Sequence, residues 1–152
     1  HGLSHERPDY TDLDAKREVS VVGDVRARLE RLRGLARTAA ARGPLVLAGS
    51  SLGAWISGRV ALELQAEGAR VLGLFLMAPA LRMGPLPDLD APQVPISIVH
   101  GWHDELIPAA DVIAWAQPRS ARLLLVDDSH RLAGHVHASA EAFDALLGAM
   151  RG

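Results

Sequence analysis

Apolar positions along the chain fall into two patterns that alternate. Four short runs, residues 46–48, 71–77, 96–99 and 123–126, are almost entirely apolar and are bounded by Gly, Pro or Asp. A continuous apolar run predicts a strand covered on both faces, as in a parallel sheet, whereas a half-exposed strand alternates. Between these runs, apolar residues recur at helical spacing. Val22, Val25, Leu29, Leu32 and Ala36 form one stripe with Arg26, Arg28, Arg31 and Arg33 between them, and Gly43-Pro44 ends that segment. Residues 52–67 are apolar nearly all round and rich in Gly and Ala, which predicts a buried helix packed closely on the sheet and ending at Gly68. A third helix is expected from near Pro108 to Gln117, before Pro118. A last one carries Val136, Ala140, Phe143, Leu147 and Met150 on one face.

This alternation implies right-handed βαβ crossovers. The expected fold is α/β, a three-layer sandwich with a mostly parallel sheet of about five strands, in a single domain over residues 1–152. Residues 79–95 contain five prolines and no clear period. They read as a surface loop, too short for a folded lid domain.

Composition narrows the chemistry. The 152 residues suit one domain with a sizeable core. A formal net charge of -2 gives no support for nucleic acid or an anionic membrane as partner. The arginines between Arg26 and Arg42 read as a solvated helix face. With no cysteine, disulfides, thiol catalysis and cysteine metal sites drop out. No apolar run reaches the roughly 18 residues of a membrane span, and "HGLSHERPDY" lacks the basic start and apolar middle of a signal peptide. A cytoplasmic location is the expectation.

The chemistry-bearing stretch is Gly49-Ser50-Ser51-Leu52-Gly53, a G-x-S-x-G pattern between a predicted strand and a predicted helix. Such a turn is sharp and strained and projects the central side chain at the C-terminal edge of the sheet. The centre is Ser51, the candidate nucleophile, with Ser50 as a small neighbour. Gly- and Ser-rich turns in this position also bind phosphates, so the motif alone leaves both readings open. A serine hydroxyl needs a histidine as general base and an acid to hold that histidine's tautomer. Asp104 lies just past the run at 96–99, and His130 just past the run at 123–126. All three then stand at C-terminal ends of strands, where open parallel sheets form sites.

His100-Gly101-Trp102-His103-Asp104-Glu105-Leu106-Ile107-Pro108 and the stretch "DDSHRL" at 127–132 are similar to the acid and histidine loops of small, lidless bacterial α/β-hydrolases. The resemblance covers the chain from about Pro44 onward. It implies an esterase, a thioesterase or a related acyl hydrolase, with Ser51, Asp104 and His130 as triad, the Leu52 N–H as an oxyanion donor and no cofactor. The N-terminal "HGLSHERPDY" reads either as the oxyanion "HG" loop or as a later helix end, short strand and "PDY". The second alignment is favoured and implies a truncated fold without its first strand and second oxyanion donor. Residues upstream in a longer protein or a partner chain, such as a second copy, would complete it.

Rival assignments stand beside these. His135 is a rival base at the start of the last helix, and Asp127 and Asp128 are rival acids better suited to serve as turn or orienting residues. His100 and His103 are expected to pack or solvate, Trp55, Trp102 and Trp115 to form core or pocket walls, and Trp102 in particular to line an acyl pocket. The pairs His100/His103 and His135/His137 lack the i, i+4 spacing of a helical zinc site, so no metal is expected. The resulting expectation is a serine hydrolase acting on a small-molecule carboxylic ester or thioester at a shallow, open site. The alternative is a non-catalytic scaffold that binds a ligand or a partner protein.

Overall fold

The computed structural model describes residues 4–9 and 21–151. Helix α1 (Val21–Ala40) leads into strand β1 (Leu45–Ser50), helix α2 (Leu52–Ala66), strand β2 (Val71–Met77) and strand β3 (Ile96–Gly101). Helix α3 (Ala109–Ala116), a 3-10 turn (Gln117–Arg119), strand β4 (Arg122–Val126), a second 3-10 turn (Ala133–His135) and helix α4 (Val136–Arg151) follow. The four strands form one parallel sheet in the order β1-β2-β3-β4. The α/β architecture is the expected one, with four strands among the described residues where about five were expected. Residues 4–9, part of the segment expected to hold a further short strand, form none. Their recorded ties are to α1 and the turn after it: Glu6 pairs with Arg42, and the Asp9 carbonyl accepts a hydrogen bond from Arg31. The rest of that N-terminal segment lies outside the described residues.

Two apolar layers sandwich the sheet. On one side, Leu74, Leu76, Ile96 and Ile98 meet Val25, Ala36, Trp55, Ile56, Val60, Leu64, Val112 and Ala116 from α1, α2 and α3. On the other, Phe75, Val99 and Val126 meet Leu146 of α4, and the Phe75 and Phe143 rings lie 5.2 Å apart between centroids. Every residue of β3 is buried, as a continuous apolar run predicts. The outer strands depart from that expectation. β4 alternates in exposure and leaves Leu124 40% exposed, while β1 buries only Leu47 fully. Among the described residues each has a strand partner on one side only, so its outer surface lacks there the second neighbour that covers β2 and β3.

One further expectation changes. The arginine face of α1 is not simply solvated: Arg33 bonds both oxygens of Glu63 on α2, at 2.6 and 3.1 Å, and Arg37 forks onto Glu67. Residues 79–95 form the expected surface loop, and it is fastened to the core at several points. Leu89 is buried in the core, and the indole N–H groups of Trp55 and Trp115 donate to the carbonyls of Pro87 (2.9 Å) and Leu89 (2.8 Å). Trp55 and Trp115 thus pin this segment while packing on the core, and Arg119 stacks over Trp115 at 4.1 Å from the ring centroid.

Candidate active site

The turn between β1 and α2 carries the first component. Ser51 sits at φ 53° and ψ -118°, a backbone conformation that L residues avoid. Its surroundings over-determine it. The Ser51 N–H donates to the Met77 carbonyl at 2.9 Å, and the Ser51 carbonyl accepts from the N–H groups of Ala54 (3.0 Å) and Ala80 (3.1 Å). The motif's two glycines differ in role. A Cβ on Gly49 would lie 2.2 Å from the Gly53 carbonyl oxygen, so the close approach of strand and helix requires glycine there. A Cβ on Gly53 would meet nothing within 4 Å.

Ser51 occupies the N-cap position of α2, where a serine hydroxyl ordinarily accepts an N–H from the first turn. Here it makes no such bond, and Oγ lies 2.9 Å from His130 Nε2. The other ring nitrogen, Nδ1, lies 2.7 Å from Asp104 Oδ2. An ionised carboxylate only accepts, so the hydrogen of a neutral His130 sits on Nδ1 and the lone pair of Nε2 faces the Ser51 hydroxyl. The three candidates therefore form one continuous hydrogen-bonded line. Ser50, exposed at the end of β1, takes no part in it.

The acid loop explains the charge on Asp104. Its side chain is fully buried. Burial alone would raise its pKa, but the hydrogen bond with His130 and those from the N–H groups of Ile107 and Leu106 outweigh it and hold the carboxyl below its ordinary range. The two backbone bonds reach Oδ1, at 2.8 Å from Leu106 and 2.7 Å from Ile107, leaving Oδ2 for the imidazole.

The histidine loop is organised by Asp128, a residue expected to serve a turn or orienting part beside the base. Its carboxylate accepts the N–H groups of Ser129 (2.8 Å) and Gly134 (2.9 Å) and pairs with His135 Nδ1 (2.9 Å). These bonds hold its pKa down, chiefly through His135. The loop lies directly on the end of β3, because a Cβ on Gly101 would fall 2.3 Å from the Asp128 carbonyl oxygen. His135 is thus tied to Asp128 rather than joined to Ser51. Asp127 pairs with His103 in the open, and His100 is wholly buried. Trp102 is 54% exposed beside the acid loop.

Leu52 opens α2, so its N–H is among the first-turn donors that have no acceptor within the helix. A second donor, expected to be either missing or at the N-terminal edge, is not located: residues 1–3 and 10–20 lie outside the described residues. Among the described residues, no group of three or more His, Asp or Glu side chains is arranged to hold a metal ion, and no helix is long and apolar enough to cross a membrane.

Comparison with known proteins agrees with this architecture. The profile of a family described as alpha/beta hydrolase domain matches residues 15–150. A Xanthomonas campestris pv. campestris protein assigned to the alpha/beta hydrolase superfamily is 62% identical, with a TM-score of 0.90 over 97% of this chain and 83% of its own. An alpha-beta serine hydrolase homologue from Coxiella burnetii is 26% identical, with a TM-score of 0.63 over 86% of this chain and 62% of its own. A second Xanthomonas campestris protein, described as a serine hydrolase without lid, shares the fold at 22% identity and a TM-score of 0.58, over 85% of this chain and 61% of its own. The chain thus spans less than two thirds of the length of these last two proteins. No curated protein matches it.

Proposed function

The chain belongs to the alpha/beta hydrolase family, and on that premise we propose that it is a serine hydrolase that cleaves a carboxylic ester or thioester through an acyl-enzyme. The observation that carries this reading is the line from Ser51 Oγ through His130 to Asp104, with links of 2.9 and 2.7 Å. Ser51 attacks the acyl carbonyl as its proton passes to His130 Nε2. The imidazolium so formed is stabilised by the charge held on Asp104. His130 then gives the proton to the leaving alcohol or thiol, and water repeats the cycle on the acyl-enzyme. The Leu52 N–H, at the positive end of α2, donates to the tetrahedral oxyanion. A second donor is either missing from this chain or stands at its N-terminal edge. The segment at residues 79–95, too short for a folded lid domain, supports an open site that admits a small or solvent-presented acyl group.

Steady-state hydrolysis of p-nitrophenyl acetate and of a short acyl thioester tests the reading. Ser51→Ala and His130→Ala are each expected to lower kcat by on the order of 10⁴ or more. A folded wild-type chain with no turnover above background points instead to a binding scaffold.

A further inference from the structure

His100 is the most deeply buried polar side chain beside the site, and the proton relay does not use it. It stands in β3, four residues before Asp104, with no exposed surface. Its Nε2 lies 2.9 Å from the Ile107 carbonyl oxygen and 3.5 Å from Asp104 Oδ2, while Nδ1 has no hydrogen-bond partner. This asymmetry fixes the tautomer. A carbonyl and a carboxylate both accept, so a lone pair on Nε2 would face two oxygens and gain nothing. The hydrogen is therefore on Nε2, which donates to Ile107, and the bare lone pair is left on Nδ1.

An imidazole with one buried nitrogen unsatisfied is a poor filler, since leucine occupies similar space without a stranded polar atom. The other nitrogen has a defined task. Ile107 is held at its carbonyl by His100 and, through its N–H, holds Asp104 Oδ1 at 2.7 Å. The acid loop is thereby fastened to a central strand at the residue that aims the carboxylate. The Nε2–H dipole also faces Oδ2, the oxygen that receives His130.

We infer that His100 is a positioning residue: through Ile107 it holds the Asp104 carboxylate in line with His130, and it touches neither substrate nor the reacting serine. The inference rests on the proposed serine-hydrolase reading for its kinetic consequence but not for its structural one. Two variants of the full chain test it. His100→Leu removes the donor. His100→Gln keeps an N–H near the Nε2 position. The first readout is the downfield proton resonance of the His130 Nδ1–H in its bond to Asp104. The second is the rate of fluorophosphonate labelling, with kcat and KM for p-nitrophenyl acetate.

His100→Leu is expected to lose or broaden the resonance and to lower labelling and kcat by about 10- to 100-fold, as a misplacement of order 1 Å does. KM should change by less than about threefold, and His100→Gln should stay within about threefold of wild type on every readout. Should the leucine variant not fold, His100→Asn, whose amide is too short to reach Ile107, takes its place with the same expected contrast to glutamine. A leucine or asparagine variant that keeps both the resonance and the rate overturns the inference, as does an equal loss in the glutamine variant. A wild-type chain that shows the resonance yet takes no label overturns the hydrolase reading and leaves this one to be decided by the resonance alone.

Discussion

The two glycines of the nucleophile turn look equivalent in sequence, and the structure separates them sharply. An alanine at position 49 would place its Cβ 2.2 Å from the Gly53 carbonyl oxygen, 2.4 Å from its carbon and 2.7 Å from the Ala54 nitrogen, all of them backbone. Ordinary contact begins at 3.4 Å, so the start of α2 would have to retreat from β1 by about 1.2 Å. No side chain can turn aside to absorb that. Forced repacking of this kind costs about 1–3 kcal/mol, which for a domain of this size lowers Tm by roughly 2–12 °C. The displaced residues adjoin Ser51, so its 2.9 Å link to His130 should break and labelling should slow by on the order of 10². Gly53→Ala meets no atom within 4 Å and lies in the first turn of α2. It should therefore leave Tm unchanged or raise it slightly, since alanine is favoured over glycine in a helix by up to about 1 kcal/mol. Differential scanning fluorimetry and timed fluorophosphonate labelling of both variants measure the contrast. A Gly49→Ala chain as stable and reactive as wild type, or a Gly53→Ala chain as unstable as Gly49→Ala, refutes this steric account of the turn.

Three further outcomes follow from the same geometry. The folded state holds the Asp104 carboxyl below its ordinary range, so its charge contributes stability above the unfolded value near 4, and that contribution is lost as pH falls through the folded value. The Tm gap between wild type and Asp104→Asn should therefore shrink as pH falls below about 4, where the carboxylate is neutralised; a gap that fails to shrink below that pH contradicts the assignment. Removing the three bonds that gather the histidine loop, by Asp128→Ala, should slow labelling of Ser51 by about 10- to 100-fold while circular dichroism shows the helices intact. The forked Arg33–Glu63 pair between α1 and α2 keeps about a quarter of each side chain exposed, so a double-mutant cycle in thermal unfolding should return a coupling of only about 0.5–1 kcal/mol.

Much of this was legible in the sequence, for reasons that also mark where legibility stops. Strands β2 and β3 are flanked on both sides, so their apolar runs correspond to real burial. Leu123, Leu124 and Leu125 are equally apolar, yet they lie in an edge strand whose exposure depends on a neighbour that local sequence does not specify. Ser51, Asp104 and His130 stood out as candidates because each follows a predicted strand. The atoms that orient them are harder to read. Adjacent Asp127 and Asp128 are chemically identical, yet one is exposed on His103 and the other gathers a loop of eight residues through Gly134 and His135. The ties on Ser51 from Met77 and Ala80 are made by backbone and leave no trace in side-chain identity. Prolines mark residues 79–95 as a surface loop, but the two indole N–H groups that fasten it come from distant helices and are not signalled within it.

The most direct test of the central claim is to treat the folded chain with a fluorophosphonate and map the adduct by peptide mass spectrometry. The account predicts a single modified residue, Ser51, with the adduct abolished by Ser51→Ala, retained in Ser50→Ala and greatly slowed by His130→Ala. An adduct on Ser50, or an unmodified chain under conditions where its helices and sheet are intact, contradicts it.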